Sequence, residues 1–160
     1  MIEELKPFSQ ELYRENDLIA KQTAVDYLLY TGQYCLNVNI EDQPEAFKSR
    51  DFQIFNTTKN MIVNVEAERK KVWTVYGLWQ GWPTIDIPYR KRNSQANLFI
   101  MTNRDCNSIA CGIVSQIKES PVSAKKTKYT ENELFFNVPL NLFRFYKKIE
   151  NSWQRFYIEL

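Results

Sequence analysis

From Met61 to Ala67 an apolar side chain recurs at every second position, Met61, Val63, Val65 and Ala67, and the alternation runs into Glu66-Ala67-Glu68-Arg69-Lys70. A period of two fits a strand with one buried face. Val65 and Ala67 then point into a core, while Glu66, Glu68 and Lys70 share the opposite face. The rest of the chain has to supply a sheet around this strand.

The flanking segments predict the other elements. Phe8 to Tyr30 reads as one amphipathic helix, with Leu12, Ile19, Val25 and Leu29 on its apolar stripe and Gly32 as its stop. Strands are predicted over Tyr34–Ile40, Arg50–Phe55 and Asn97–Thr102. Glu41–Glu45 is a polar loop, and Asn56–Asn60 is a hairpin connection. Asn103 or Asp105 is placed to cap a helix in which Ile109, Ile113 and Ile117 recur at every fourth position, ending before Pro121. Lys125, Lys126 and Lys128 form a basic loop, Glu133–Val138 is a further strand, and Leu140–Tyr157 suits either a short helix or a strand. This order predicts an α/β (α+β) class, a central mixed β-sheet flanked by helices. One domain is expected over 1–160, with its core over 8–120 and an aromatic, basic C-terminal extension over 121–160.

Composition narrows the function classes. A chain of 160 residues buries roughly 70% of the surface its unfolded form exposes, so it needs no disulfides to hold a core. Net charge is only +2, so a polyanion has to be held by a local patch. Histidine is absent, which excludes a His-based triad, an HExxH zinc site and an imidazole general base. Cys35, Cys106 and Cys111 show no CxxC pairing and read as reduced core or near-core side chains. The charged first thirty residues lack a signal-peptide run, and nothing reaches membrane-spanning length, so a cytoplasmic protein is expected.

Glu66 and Glu68 repel each other on one strand face. If Asn56–Asn60 is a hairpin, Asp51 joins them from the preceding strand, and each carboxylate raises its neighbours' pKa. A hard divalent cation removes that conflict, since Mg²⁺ takes oxygen ligands from one or two carboxylates, water and phosphate. Lys70 beside such a centre orients a water or neutralises charge developing on phosphorus. Taken alone, the triplet favours the charged, solvent-facing side of an ordinary strand, and it is Asp51 on the preceding strand, with the Ile85–Lys91 segment, that turns the balance toward a site.

These residues resemble the PD-(D/E)XK nuclease superfamily, the restriction-endonuclease-like fold. Asp51 matches its first acid, with Arg50 where the pattern has proline. Glu68-Arg69-Lys70 matches E-x-K, and Glu66-Ala67-Glu68 matches the E-x-E variant, so both registers stay open. Ile85 to Lys91 is similar to the segment by which a basic pair, here Arg90 and Lys91, enters the site before the fourth core strand. An acid on the first helix that assists the metal would be Glu15, Glu11 or Asp17. The resemblance implies Mg²⁺, with Mn²⁺ able to substitute.

Between Arg69 and Arg92 lie six cations (Arg69, Lys70, Lys71, Arg90, Lys91 and Arg92) against Asp86 alone, a local +5. Such loops suit phosphate contacts, or simply solvation. Trp73 fits a core, whereas Trp79 and Trp82 are open to either core packing or base stacking. The reading that follows is a Mg²⁺-dependent nuclease acting on DNA rather than RNA. Asp51, Glu66 and Glu68 are its metal ligands, Lys70 handles the water, and Arg69, Lys71, Arg90, Lys91 and Arg92 contact substrate. The rivals are a non-catalytic nucleic-acid-binding module and an assembly protein whose aromatic tail docks on a partner. That tail equally closes a core or forms a homodimer contact.

Overall fold

The computed structural model describes residues 10–36, 52–127 and 131–158. Helix α1 (Gln10–Tyr30) ends where Gly32 adopts a φ of 76°. Its buried side is Ala20, Ala24, Val25, Tyr27 and Leu28, so Val25 of the expected stripe is in the core, while Leu29 is exposed.

β1 (Tyr34–Cys35) pairs antiparallel with β2 (Phe52–Asn56), which forms a hairpin with β3 (Met61–Arg69). The turn between them is fixed by Asn56, whose Oδ1 accepts the backbone N–H groups of Thr58 at 3.0 Å and Lys59 at 2.9 Å. β4 (Thr84–Pro88) belongs to a second sheet. β5 (Leu98–Thr102) returns to lie parallel to β3, with Glu66 opposite Phe99 and Glu68 opposite Met101. β6 (Ser108–Ile113) is antiparallel to β5 and is followed by the one-turn helix α2 (Val114–Ile117). β7 (Val122–Lys125) and β8 (Glu133–Pro139) complete the second sheet. β9 (Phe143–Ile149) and β10 (Ser152–Phe156) complete the first. The orders are β1-β2-β3-β5-β6-β9-β10 and β4-β8-β7. The C-terminal part supplies β7 to β10, two strands to each sheet.

Two apolar layers result. Helix α1 packs on one face of the large sheet over Phe52, Val63, Val65, Ile100, Ile109 and Trp153. The small sheet packs on the other face, bringing Ile85, Ile87, Phe136 and Val138 against Phe99, Met101, Phe143 and Phe145.

The expected α/β (α+β) class, a central mixed sheet flanked by helices, is therefore wrong: among the described residues the fold is mostly β, with helices α1 and α2 only, and a sheet takes the second flank. The error lies at residues 103–117. A spacing of four is even, so Ile109 and Ile113 keep to one side of a strand as readily as of a helix. Two features favour the strand. Asn103 is fully buried, and its Oδ1 accepts the N–H groups of Asn107 at 2.9 Å and Ser108 at 3.0 Å, which closes a hairpin loop instead of capping a helix. Gly112 lies where a Cβ would sit 2.7 Å from Phe143 Cε1, so β6 and β9 approach closely there. Lys125 likewise ends a strand, not a loop. No described helix is long and apolar enough to cross a membrane.

Candidate functional site

The parallel pair β3 and β5 needs a crossover, and that crossover builds the site. It runs through the aromatic loop, β4 and a 3-10 turn at Tyr89–Asn93, returning along the face of β3 that carries Glu66 and Glu68. Glu66 is 6% exposed, so its carboxylate has to be matched by hydrogen bonds and charge. The Lys91 ammonium donates to Oε1, and the Ser94 hydroxyl donates to Oε2 at 3.2 Å. Ser94 is itself set by the Ala96 N–H, which donates to its Oγ at 3.1 Å.

Glu68, two residues further along the same strand face, is exposed to solvent. Desolvation pushes its pKa above the usual carboxylate value. Lys91 opposes that shift most among the neighbouring charges, Glu66 adds to it, and Lys70 and Arg90 oppose it more weakly. Lys70 follows β3, where its N–H extends the ladder to the Thr102 carbonyl at 2.8 Å. Burial lowers its pKa, and the carboxylates of Glu68 and Asp86 pull it back up.

Asp86 stands on β4 with three donors: Lys125, Thr84 Oγ1 at 2.9 Å and Asn137 Nδ2 at 2.9 Å. Partial burial alone would raise its pKa, but these hydrogen bonds outweigh it and leave the pKa below the ordinary value. The sequence marked Asp86 only as the lone acid in a basic segment, and it gave no signal for Ser94 or Asn137.

The remaining expected residues divide. Glu66, Glu68, Lys70 and Lys91 are brought together, with the charge of Arg90 also acting on Glu68. Arg90 is 65% exposed and paired with Glu133. Arg69 is out of phase with the two glutamates, and its Nε donates to the Arg104 carbonyl at 2.7 Å. Lys71 is exposed in the turn after β3, and Arg92 lies over the Tyr89 ring at 4.8 Å. Asp51, Lys128 and the side chains of Glu11, Glu15 and Asp17 lie outside the described residues. Among the described residues no group of three or more aspartate, glutamate, cysteine or histidine side chains is placed to hold a metal ion.

The aromatic loop connects core and site. Trp73 is fully buried and stands edge-on to Trp79, which stands edge-on to Trp82. The Lys70 ammonium lies over the Trp82 ring. Phe143, Phe145 and Trp153 of the C-terminal segment are buried in the two apolar layers, and Tyr157 is exposed. The cysteines are free and half-buried, and burial pushes the Cys111 thiol up to about 12, which makes it a poor nucleophile.

No protein-family model matches the chain, and no curated protein or solved structure matches it significantly.

Proposed function

We propose that the chain is a metal-dependent phosphodiesterase acting on DNA, with the E-x-E/E-x-K strand end of the PD-(D/E)XK nucleases as its working part. One observation carries the reading: Glu66 and Glu68 share one face at the carboxyl end of a strand that runs parallel to β5, with Lys91 on Glu66 and the charges of Lys91 and Lys70 acting on Glu68.

Glu66 and Glu68 are the described residues that would hold Mg²⁺ or Mn²⁺. Two carboxylates suffice for an ion that keeps several waters and takes phosphate oxygens, so the donor set fits. Asp51, one residue before Phe52 in sequence, is proposed as a third ligand. When bound, such an ion supplies Lewis acidity at a phosphoryl oxygen and an acidified water. The chain supplies position and charge. Lys70, held between Glu68 and Asp86, donates a hydrogen bond that orients the attacking water and stabilises charge on the phosphorane oxygens. Arg90, exposed on the 3-10 turn that also carries Lys91, binds a flanking phosphate.

Incubation with circular and linear DNA in Mg²⁺, Mn²⁺ or EDTA tests this. Metal-dependent product that Glu68→Ala and Asp51→Ala both abolish, with cooperative unfolding retained, is the expected result. Undiminished cleavage by both variants refutes the assignment. A binding module without catalysis is the second reading, favoured by the engagement of both Glu66 oxygens by Lys91 and Ser94. It predicts salt-sensitive DNA binding that EDTA leaves unchanged, with no product.

A further inference from the structure

Glu66 and Glu68 are two residues apart on one strand face, and one ammonium serves both. Lys91 donates to Glu66 Oε1 directly and is the strongest opposing charge acting on Glu68. The geometry points to Lys91 as a built-in counter-cation that occupies the carboxylate pair until a divalent ion displaces it, after which its ammonium is available to a substrate phosphate. This rests on reading the site as a metal centre.

Charge counting supports the exchange. Lys91 and a divalent ion are both cations and compete for the same two carboxylates. Lys70 and Arg90 already act on Glu68, so an entering ion leaves an excess of positive charge that a phosphodiester offsets. Metal and phosphate therefore favour each other's binding, and the linkage is reciprocal.

The local structure permits the movement. Lys91 sits in the 3-10 turn Tyr89–Asn93, none of whose residues is buried. Its side chain is 24% exposed against 8% for Glu66, so the ammonium can reach water by rotating its own stem while the carboxylate stays fixed. Ser94 remains on Oε2 and holds the carboxylate in place. An arginine would grip with a planar fork and give way less readily.

Mn²⁺ binding in the absence of DNA tests the inference. It is measured by calorimetry on the wild type, Lys91→Gln and Lys91→Met, with thermal unfolding recorded in EDTA and in Mn²⁺. Lys91→Gln keeps a donor for Glu66 and guards against the methionine variant failing to fold with an unpaired buried carboxylate. Mn²⁺ is expected to bind the variants about tenfold more tightly than the wild type. It should also raise their melting temperature by more, because the ion replaces the missing ammonium. Equal or weaker binding by a cooperatively folded Lys91→Gln protein overturns the role of Lys91. If wild-type binding is then still abolished by Glu66→Gln, the metal centre itself survives. Absence of Mn²⁺ binding in all three proteins overturns both.

Discussion

The Lys70 ammonium lies 5.1 Å from the ring centroid of Trp82, so the aromatic loop holds a side chain of the site. Trp82 is braced by Trp79, whose Nε1 donates to the Trp82 carbonyl at 2.7 Å, and Trp79 is braced by the buried Trp73. Burial in one apolar layer is thereby converted into a fixed place for a cation.

Trp82→Phe keeps a π face under Lys70 and Trp82→Leu removes it. A cation–π contact at this degree of exposure is worth about 0.5–1 kcal/mol, so the leucine variant should lose about two- to fivefold in kcat relative to phenylalanine. Equal rates for the two would assign Trp82 to packing alone.

Glu68 is predicted to trade stability for chemistry. Its folded pKa is raised above the ordinary 4.5, chiefly by desolvation, so the fold favours its protonated form. That contribution is fully present below 4.5 and is lost as pH rises through the folded value. Glu68→Gln should therefore be more stable than the wild type near neutral pH, by about 0.5 kcal/mol because solvent screens the exposed carboxylate. The difference should close as the solution is acidified. On the proposed nuclease reading, cleavage needs the carboxylate ionised and should fall over the same acid window. Urea midpoints that differ by the same amount at every pH would contradict this.

Asp86 has the opposite sign. Its folded pKa lies below the ordinary 3.8, so its stabilisation is present above 3.8 and is lost as pH falls through the folded value. Asp86→Asn should cost about 1 kcal/mol near neutral pH, the worth of partly screened hydrogen bonds to a charged acceptor. Asp86 is also one of the two carboxylates, after Glu68, that hold the Lys70 pKa up. The alkaline limb of the pH–rate profile should consequently move to lower pH in the variant. An unmoved limb would separate Asp86 from Lys70.

The parts of this arrangement that could be read from the sequence are those fixed by local periodicity. The alternation ending at Ala67 gave β3 and the shared face of Glu66 and Glu68, and the polar run after Phe55 gave the hairpin to β2. The second sheet could not be read in the same way. Its strand β8 was expected over Glu133–Val138, but β4 meets it across a long separation, Ile85 with Val138, and no local pattern records that pairing. At Ile109 and Ile113 the pattern was compatible with two elements, and the Asn103 loop and the close approach to β9 at Gly112 favour the strand. Ser94 reached the site for a similar reason: its partner Glu66 is distant in sequence, and an isolated serine carries no spacing signal.

Asn103 tests that last kind of determinant. Besides its two accepted bonds, its Nδ2 donates to the Val75 carbonyl at 3.1 Å and to Asn107 Oδ1 at 2.7 Å. One side chain thus closes the β5–β6 hairpin and ties it to the loop that carries Trp73 and Trp79. Asn103→Ala leaves buried backbone N–H groups without their acceptor and should cost about 2–4 kcal/mol in urea unfolding. Cleavage should fall as well, since the slackened loop no longer fixes Trp82 under Lys70. Gly112→Ala is the comparison. The clash with Phe143 costs about 1–3 kcal/mol by overpacking without touching the aromatic loop, so its kcat should be retained while it stays folded. If Asn103→Ala were as stable as the wild type, the loop N–H groups must find water instead, and strand pairing alone, not the loop asparagine, would keep residues 108–113 from forming the helix their isoleucine spacing allows.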